Sequence, residues 1–210
     1  MRLQIAMDTM STNEALETAG KLYDIIDIVE IGTPMIIMEG LASVKAMKTR
    51  FPGLTVLADI KIVDGGEFEC RSACDAGADI VTVLAMAADE TVESVVAVAR
   101  GYGRAFMADL IGVADIAGRA RQIERLGVDY ICVHTASDVQ KKGRTPLGDL
   151  RLLTAAIPAD KTAVAGGISI KTIGEYGNLN PAIIISGSAL TGAPDIRAAA
   201  IEMKAALARK

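Results

Sequence analysis

The sequence has 210 residues, of which 51% are hydrophobic and 23% are charged, and its mean hydropathy is +0.35. This length corresponds to one domain, and the composition excludes a mainly disordered chain because enough apolar surface is available for a core. The net charge of −4 and the isoelectric point of about 5.1 argue against a nucleic-acid-binding protein, whose contact surface is basic.

The N-terminal residues resemble no targeting segment, and the longest uncharged apolar run, 80–88, is far shorter than the ~20 residues of a membrane span. The three cysteines, Cys70, Cys74 and Cys132, are odd in number and predict buried thiols rather than a disulfide framework. We therefore predict a cytoplasmic protein that makes no membrane contact.

Short apolar runs rich in β-branched residues recur along the whole chain at fairly even spacing. Such runs are typical of parallel strands that are covered on both faces. The eight predicted strands are Leu3–Met7, Asp27–Ile31, Leu54–Ala58, Ile80–Leu84, Ala105–Leu110, Tyr130–Val133, Thr162–Ala165 and Ala182–Ile185.

Helical patterns lie between these runs. Ser11 and Glu14 have the spacing of a capping box at the first helix, and Asp89 or Thr91 is expected to cap the fourth. Gly77 and Gly127 each follow a helical pattern and are expected to supply the left-handed backbone that ends a helix. The predicted buried faces are Leu16, Ala19, Tyr23 and Ile26; Val92, Val95, Val96 and Ala99; and Ile196, Ala200, Met203 and Leu207.

A strand that alternates with a helix eight times predicts a single (β/α)8 barrel domain over residues 1–210. The alternative is a doubly wound open sheet, but no G-x-G-x-x-G follows the first strand. In a barrel, the active site lies at the C-terminal ends of the strands. The polar residues expected there are Asp8, Glu30, Asp59, Lys61, Asp64, Asp109 and His134.

Three features of this rim predict chemistry. Asp59 and Lys61 are two residues apart in a strand and should face the barrel mouth together, although a structural ion pair would give the same pattern. Glu30 and Asp59 come from adjacent strands and suit a hard, oxygen-preferring cation such as Mg²⁺. His134, the only histidine, follows a strand and is a candidate general acid or base, the alternative being a satisfied structural histidine.

Glycines follow the last two strands and predict a phosphate site. Gly166 and Gly167 follow the seventh strand, and Gly187 and Ser188 follow the eighth, where barrels bind phosphate through backbone N–H groups. Neither loop contains an arginine, so backbone and hydroxyl groups must supply most of the binding. Ser169 is a further candidate donor, and Ser186 a weaker one.

The residues 59–64, D-I-K-I-V-D, resemble the D-x-K-x-x-D motif of the orotidine-phosphate decarboxylase suprafamily. Nearly the whole chain resembles the metal-dependent branch of that family, including E-I-G-T-P at 30–34, D-G-G-E-F-E at 64–69, G-A-D-I-V-T-V-L at 77–84, V-H-T at 133–135 and V-A-G-G-I at 164–168. The resemblance implies a (β/α)8 barrel that forms homodimers with active sites at the subunit interface.

The resemblance also implies roles for individual residues. Mg²⁺, for which Mn²⁺ or Co²⁺ are possible substitutes, would be held by Glu30 and Asp59, and Asp8 and Lys61 would contact the substrate. Asp64 would reach the active site of the partner subunit. The phosphate of the substrate would lie at the residues that follow the last two strands, Gly166, Gly167, Gly187 and Ser188.

Departures from the family pattern discriminate between its activities. Orotidine-phosphate decarboxylases have a lysine where this chain has Glu30 and an arginine where it has Ser188, which disfavours that activity. Gulonate-phosphate decarboxylases usually have glutamate and arginine at the positions of Asp109 and Ser137, and tend to have arginine where this chain has Ser188 and Ala189. In all three respects the chain resembles the hexulose-phosphate synthases.

We therefore expect an aldol addition of formaldehyde to ribulose 5-phosphate through a 1,2-enediolate, with His134 abstracting the C1 proton and Lys61 stabilising the enediolate. The first alternative is 3-keto-L-gulonate-6-phosphate decarboxylation, which reaches the same enediolate. A non-catalytic sugar-phosphate sensor is the alternative from another class, but binding alone would not need so many costly charges in one cleft.

Overall fold

Eight parallel strands close into a barrel in a computed structural model that describes residues 1–208. Each strand pairs with the next in sequence, and the last pairs with the first. The strands are β1 (Arg2–Met7), β2 (Ile28–Ile31), β3 (Thr55–Ile62), β4 (Ile80–Leu84), β5 (Ala105–Asp109), β6 (Tyr130–His134), β7 (Thr162–Ala165) and β8 (Ile183–Ser186). All eight predicted strands are present, and the predicted (β/α)8 barrel is confirmed.

Helices connect successive strands and surround the barrel. The helices are α1 (Thr12–Leu22), α2 (Thr33–Glu39), α3 (Ala42–Arg50), α4 (Gly66–Asp75), α5 (Asp89–Gly101), α6 (Ile116–Arg125), α7 (Ser137–Gln140), α8 (Leu147–Ala156), α9 (Ile173–Gly177), α10 (Ser188–Thr191) and α11 (Ile196–Ala208), with a short 3₁₀ helix at Ala159–Lys161. The crossovers place these helices against the outward-facing side chains of the strands.

The alternation of side chains along each strand divides the apolar core in two. Outward residues such as Val56 and Val81 pack against the helices in the larger cluster. Inward residues such as Leu57, Ile80 and Met107 fill the barrel itself. Within residues 1–208, no helix has both the length and the apolar composition to cross a lipid bilayer.

Helix ends confirm some capping predictions and correct one. The predicted capping box of α1 is present: Ser11 Oγ accepts from Glu14 N at 3.3 Å, and Glu14 Oε2 accepts from Ser11 N at 2.8 Å. The predicted cap of α5 is wrong, because Ala88 occupies the N-cap and no side chain caps the helix. The Asp89 carboxylate instead accepts hydrogen bonds from Arg119 and Gln122 of α6.

Buried helix faces follow the predictions best where the helix is long. The predicted α5 face is fully buried, and three of the four residues of the α11 face are. The prediction of the buried face of α1 is wrong in part, because the helix ends at Leu22 and Tyr23 is 58% exposed. Ala15, Ala19 and Leu22 form the buried stripe of α1.

Candidate active site

A cavity of about 730 Å³ opens at the C-terminal mouth of the barrel, where barrel active sites lie. The loops and strand ends that border it bring together nine of the eleven residues that the sequence predicted for the site. These are Asp8, Glu30, Asp59, Lys61, His134, Gly166, Gly167, Gly187 and Ser188.

The other two predicted residues lie elsewhere. Asp109 is buried just below the large cavity and lines a smaller one of about 30 Å³ inside the barrel. Asp64 is exposed in the loop after β3, its carboxylate accepts a hydrogen bond from Gly65 N at 2.7 Å, and it does not border the large cavity.

Negative charge concentrates in the cavity. Burial, the charge of Asp59 and that of Asp8 raise the pKa of the Glu30 carboxyl well above its ordinary value, although a hydrogen bond from Gln4 and the charge of Lys61 oppose the shift. Burial and the Asp59 charge likewise raise the pKa of Asp8. A cation that entered this cavity would therefore relieve an electrostatic penalty on two carboxyl groups.

Lys61 is the positive centre of this group. Burial opposes the charge of the lysine. Its ion pair with the Asp59 carboxylate outweighs burial, together with the charges of Asp109 and Glu30, and raises the pKa of the lysine above its ordinary value. Its Nζ also donates to Thr33 Oγ1 at 3.1 Å. The lysine is therefore held in its charged form, at a place where it can stabilise an anion in the cavity.

The carboxylate of Asp109 orients the imidazole of His134. Its Nδ1 lies 2.9 Å from Asp109 Oδ2, and Asp109 Oδ1 accepts from Ile111 N at 2.8 Å. Because a carboxylate only accepts, Nδ1 carries a hydrogen and Nε2 is the nitrogen that remains free to take up a proton.

Three polar residues that sequence reasoning missed support the carboxylates. Thr33 Oγ1 lies 2.9 Å from Asp59 Oδ2, Thr82 Oγ1 donates to Asp59 Oδ1 at 2.8 Å, and Gln4 Nε2 donates to Glu30 Oε2 at 2.5 Å. Gln4 and Thr82 could have been found as lone polar residues within otherwise apolar strands. Gln4 Oε1 is buried and has no hydrogen-bond partner within residues 1–208.

Close backbone approach explains Gly166 in the predicted phosphate site. Its φ is +118°, and a Cβ there would lie 2.7 Å from the carbonyl oxygen of Thr135, so only glycine fits without strain. Gly187 and Ser188 face the same cavity at the start of α10.

The two other serines proposed as donors are not placed for that role. Ser186 Oγ is buried and donates to Ile168 O at 2.9 Å, and Ser169 does not border the cavity. Ser188 is therefore the serine hydroxyl of these two loops that borders the cavity.

The donor set fits a hard dication that keeps water and substrate ligands. Glu30 accepts one side-chain hydrogen bond; Asp59 Oδ2 bonds Lys61 and Thr33, and Asp59 Oδ1 accepts from Thr82 alone, so oxygen lone pairs remain on both carboxylates. Residues 1–208 hold no cluster of three or more His, Cys, Asp or Glu arranged as metal ligands. Mg²⁺ is commonly bound by one or two carboxylates, with water and substrate oxygens completing its coordination.

Fold and cavity together are those of a (β/α)8-barrel enzyme with its polar site at the C-terminal rim. Residues 1–203 match the model of the orotidine 5'-phosphate decarboxylase / HUMPS family. The chain belongs to this family.

Relatives within the family are similar over nearly the whole chain. A curated protein of Bacillus subtilis (strain 168), named 3-hexulose-6-phosphate synthase, is 43% identical over 204 residues, which are 97% of each chain. The crystal structure of 3-hexulose-6-phosphate synthase from Salmonella typhimurium is 41% identical, with a TM-score of 0.97 over 100% of this chain and 99% of that one. A 3-keto-L-gulonate-6-phosphate decarboxylase from Vibrio cholerae is 27% identical, with a TM-score of 0.87 over 99% and 97%.

Proposed function

We propose that this protein catalyses the 3-hexulose-6-phosphate synthase reaction, the aldol addition of formaldehyde to ribulose 5-phosphate. The observation that carries the proposal is the identity of about 40–43% over nearly the whole chain to several curated proteins with that name. Asp109 below the cavity and Ser137 at its edge support the assignment, because both are compact and leave room for a small aldehyde.

Mg²⁺ is the proposed cofactor, with Glu30 and Asp59 as its protein ligands and Mn²⁺ or Co²⁺ as possible substitutes. When bound, the ion would supply Lewis-acid polarisation of the ketone and hydroxyl oxygens of the substrate. The raised pKa of Glu30 supports this assignment, because burial and neighbouring carboxylates leave that group in need of a counter-charge.

The chain's own residues then account for the proton and charge movements. His134 Nε2 removes a proton from C1 of ribulose 5-phosphate, which breaks that C–H bond and leaves the 1,2-enediolate. Lys61 stabilises the enediolate oxygen through its charge. C1 then bonds to the carbon of formaldehyde, whose oxygen receives the electron pair of the C=O bond and takes up the proton that His134 Nε2 had removed, so that charge and atoms balance and the imidazole is neutral again.

The phosphate group is proposed to lie at the loops that follow β7 and β8. Gly166 and Gly167 follow β7, and Gly187 and Ser188 follow β8, so backbone N–H groups and one hydroxyl converge from adjacent loops. Anchoring the phosphate there fixes the distance of C1 from His134 and makes the reaction effectively intramolecular.

We also propose that the protein is a homodimer whose sites are shared. Asp64 does not border the cavity of its own chain. Large apolar side chains are exposed after three neighbouring strands at the same rim: Ile37, Met38, Val63, Phe68 and Met86 are 53–82% exposed. A second copy that covered this rim would bury these side chains and bring its own Asp64 toward the site.

Decarboxylation of 3-keto-L-gulonate 6-phosphate is the second candidate, because a solved decarboxylase shares the barrel and the proposed residues can stabilise the same enediolate. A non-catalytic sugar-phosphate sensor is the third. One paired assay separates them: purified protein with Mg²⁺ is given ribulose 5-phosphate and formaldehyde, and separately 3-keto-L-gulonate 6-phosphate. Faster consumption of the first pair is expected, the reverse preference would favour the decarboxylase, and no turnover of either would favour the sensor.

A further inference from the structure

Strand β3 is irregular at the point where it delivers its functional side chains. Ala58 pairs with Val81 and Ile62 with Val83, so β3 has two more residues than β4 between these pairs. Within this bulge Lys61 has φ +49°, a left-handed conformation that a residue with a Cβ rarely adopts. Asp59 and Lys61, which both border the cavity, therefore lie within an irregular segment of the strand.

The side chain of Thr82 lies opposite this bulge. Thr82 belongs to β4, is 4% exposed, and lies between Val81, which pairs with β3 before the bulge, and Val83, which pairs with it after the bulge. Its Oγ1 accepts a hydrogen bond from the backbone N–H of Lys61 at 2.9 Å and donates one to Asp59 Oδ1 at 2.8 Å. The Thr82 hydroxyl thus bonds the backbone N–H of the strained Lys61 and also fixes the carboxylate of Asp59.

Both bonds require a hydroxyl. The neighbours of Thr82 in β4 are valines, and a buried hydroxyl costs free energy unless it is hydrogen-bonded. Valine has the same branched shape and suits a strand equally well, so packing alone does not account for threonine at this position. Valine would leave the Lys61 N–H without this acceptor and Asp59 Oδ1 without this donor.

We infer that Thr82 is a positioning residue that holds Asp59 and Lys61 in their working geometry. It acts through these two residues, because its side chain borders the small cavity inside the barrel and not the large one that opens to solvent. The inference rests on the proposed function in so far as Asp59 and Lys61 act on the substrate there. The structural part, the clamp on the bulge, stands independently of the reaction.

Three variants and a control test the role. Thr82→Val removes both hydrogen bonds, Thr82→Ser keeps them, and Thr82→Ala provides a second loss of the hydroxyl should valine prevent folding. Thr162→Val is the matched control: Thr162 is fully buried, its Oγ1 donates to Ala159 O at 2.8 Å, and it lies at the opposite end of the barrel. It loses a buried hydroxyl bond without altering the site.

We expect Thr82→Val to lower kcat/KM for the aldol addition by about 10–100-fold, the usual effect of removing the support of an active-site or ligand side chain. Most of the loss should fall on kcat, because the phosphate loops still bind the substrate. Thr82→Ser should retain most of the activity, and Thr162→Val should leave kcat unchanged. A Thr82→Val enzyme within about twofold of wild-type kcat/KM would overturn the inference.

Hydrogen exchange of the Lys61 amide provides a readout that does not depend on turnover. In Thr82→Val this amide should exchange at least about tenfold faster than in Thr82→Ser, while amides of β7 keep their wild-type rates. Unchanged exchange at Lys61 would overturn the clamp even if activity fell. If the wild-type protein does not turn over ribulose 5-phosphate and formaldehyde, the proposed function fails, and the exchange rates still decide whether Thr82 holds the bulge.

Discussion

The imidazole Nδ1 of His134 lies 2.9 Å from Asp109 Oδ2, at the ends of the adjacent strands β6 and β5. Asp109 is itself fixed by the N–H of Ile111 and is only 5% exposed. The pair leaves Nε2 free for proton transfer and fixes the direction in which the ring faces. The base of the proposed reaction is therefore oriented by a buried carboxylate that the substrate does not need to touch.

Replacing Asp109 by asparagine tests this relationship. An amide can donate to Nδ1 and stabilise the wrong tautomer, so kcat should fall by about 100-fold or more, with a small change in KM for ribulose 5-phosphate. Steady-state kinetics of Asp109→Asn measures both. Asp115→Asn at the N-cap of α6 is the matched control, because asparagine keeps its capping role; an equal loss in both variants would contradict the orientation role.

Glu30→Gln should weaken Mg²⁺ binding by about tenfold or more, because a neutral amide is a poorer ligand for a hard dication. It should also stabilise the metal-free fold at pH 8. Glu30 has a raised pKa in the folded state and so binds its proton more tightly there than in the unfolded chain. Ionisation of Glu30 therefore lowers the stability of the metal-free fold as the pH rises from 4.5 through the folded-state pKa.

Thermal unfolding with EDTA and with Mg²⁺ checks both parts of that prediction. In EDTA at pH 8, Glu30→Gln should melt above wild type, and the difference should shrink at pH 5, where the wild-type carboxyl is more protonated. Mg²⁺ should raise the Tm of wild type more than that of the variant. Exposed Glu93→Gln is the control. Equal Mg²⁺ affinity in wild type and Glu30→Gln would remove Glu30 from the metal ligands.

The double substitution Ser137→Arg with Asp109→Glu should shift the reaction preference toward decarboxylation. A guanidinium at position 137, on the edge of the cavity, would crowd the space for formaldehyde and can position a water that protonates the enediolate. The ratio of the two rates, measured on ribulose 5-phosphate with formaldehyde and on 3-keto-L-gulonate 6-phosphate, is the test. A ratio that stays at the wild-type value would show that these two positions do not select the reaction.

Mixed dimers test whether the sites are shared. Asp64→Asn and Lys61→Ala subunits should each be inactive alone, but in a mixed dimer one site would carry both changes and the other neither. Random exchange should restore roughly a quarter of wild-type activity, since about half of the dimers are mixed and each has one intact site of two. If mass spectrometry confirms exchange and no activity returns, Asp64 acts within its own chain.

The sequence predicted the elements that depend on local pattern. Strands Ile80–Leu84 and Thr162–Ala165 have their predicted bounds, because each is a short apolar run between clear helix signals. Strand β3 was predicted to end at Ala58 and instead continues to Ile62 through a bulge. No local pattern in the sequence predicts this bulge, whose backbone N–H at Lys61 bonds the Thr82 hydroxyl of the next strand.

In the candidate site, too, local pattern predicted some residues and long-range contacts placed the others. The barrel rule located the strand-end residues, and nine of them border one cavity. It did not find Gln4, which lies in the middle of β1 and bonds Glu30 on the neighbouring strand β2. The Asp89 cap was mispredicted because the carboxylate has a better partner in Arg119, thirty positions along the chain. Long-range partners of this kind are outside the reach of spacing arguments.

Exchange of the C1 hydrogen of ribulose 5-phosphate in D₂O, without formaldehyde, tests the central claim most directly. In the proposed reaction, His134 removes this proton to form the enediolate before any new carbon–carbon bond exists. Proton NMR should therefore show loss of one C1 hydrogen signal with wild-type protein and Mg²⁺, and exchange slower by about 100-fold or more with His134→Gln. Absence of exchange in wild type, or exchange at the wild-type rate in His134→Gln, would contradict the account.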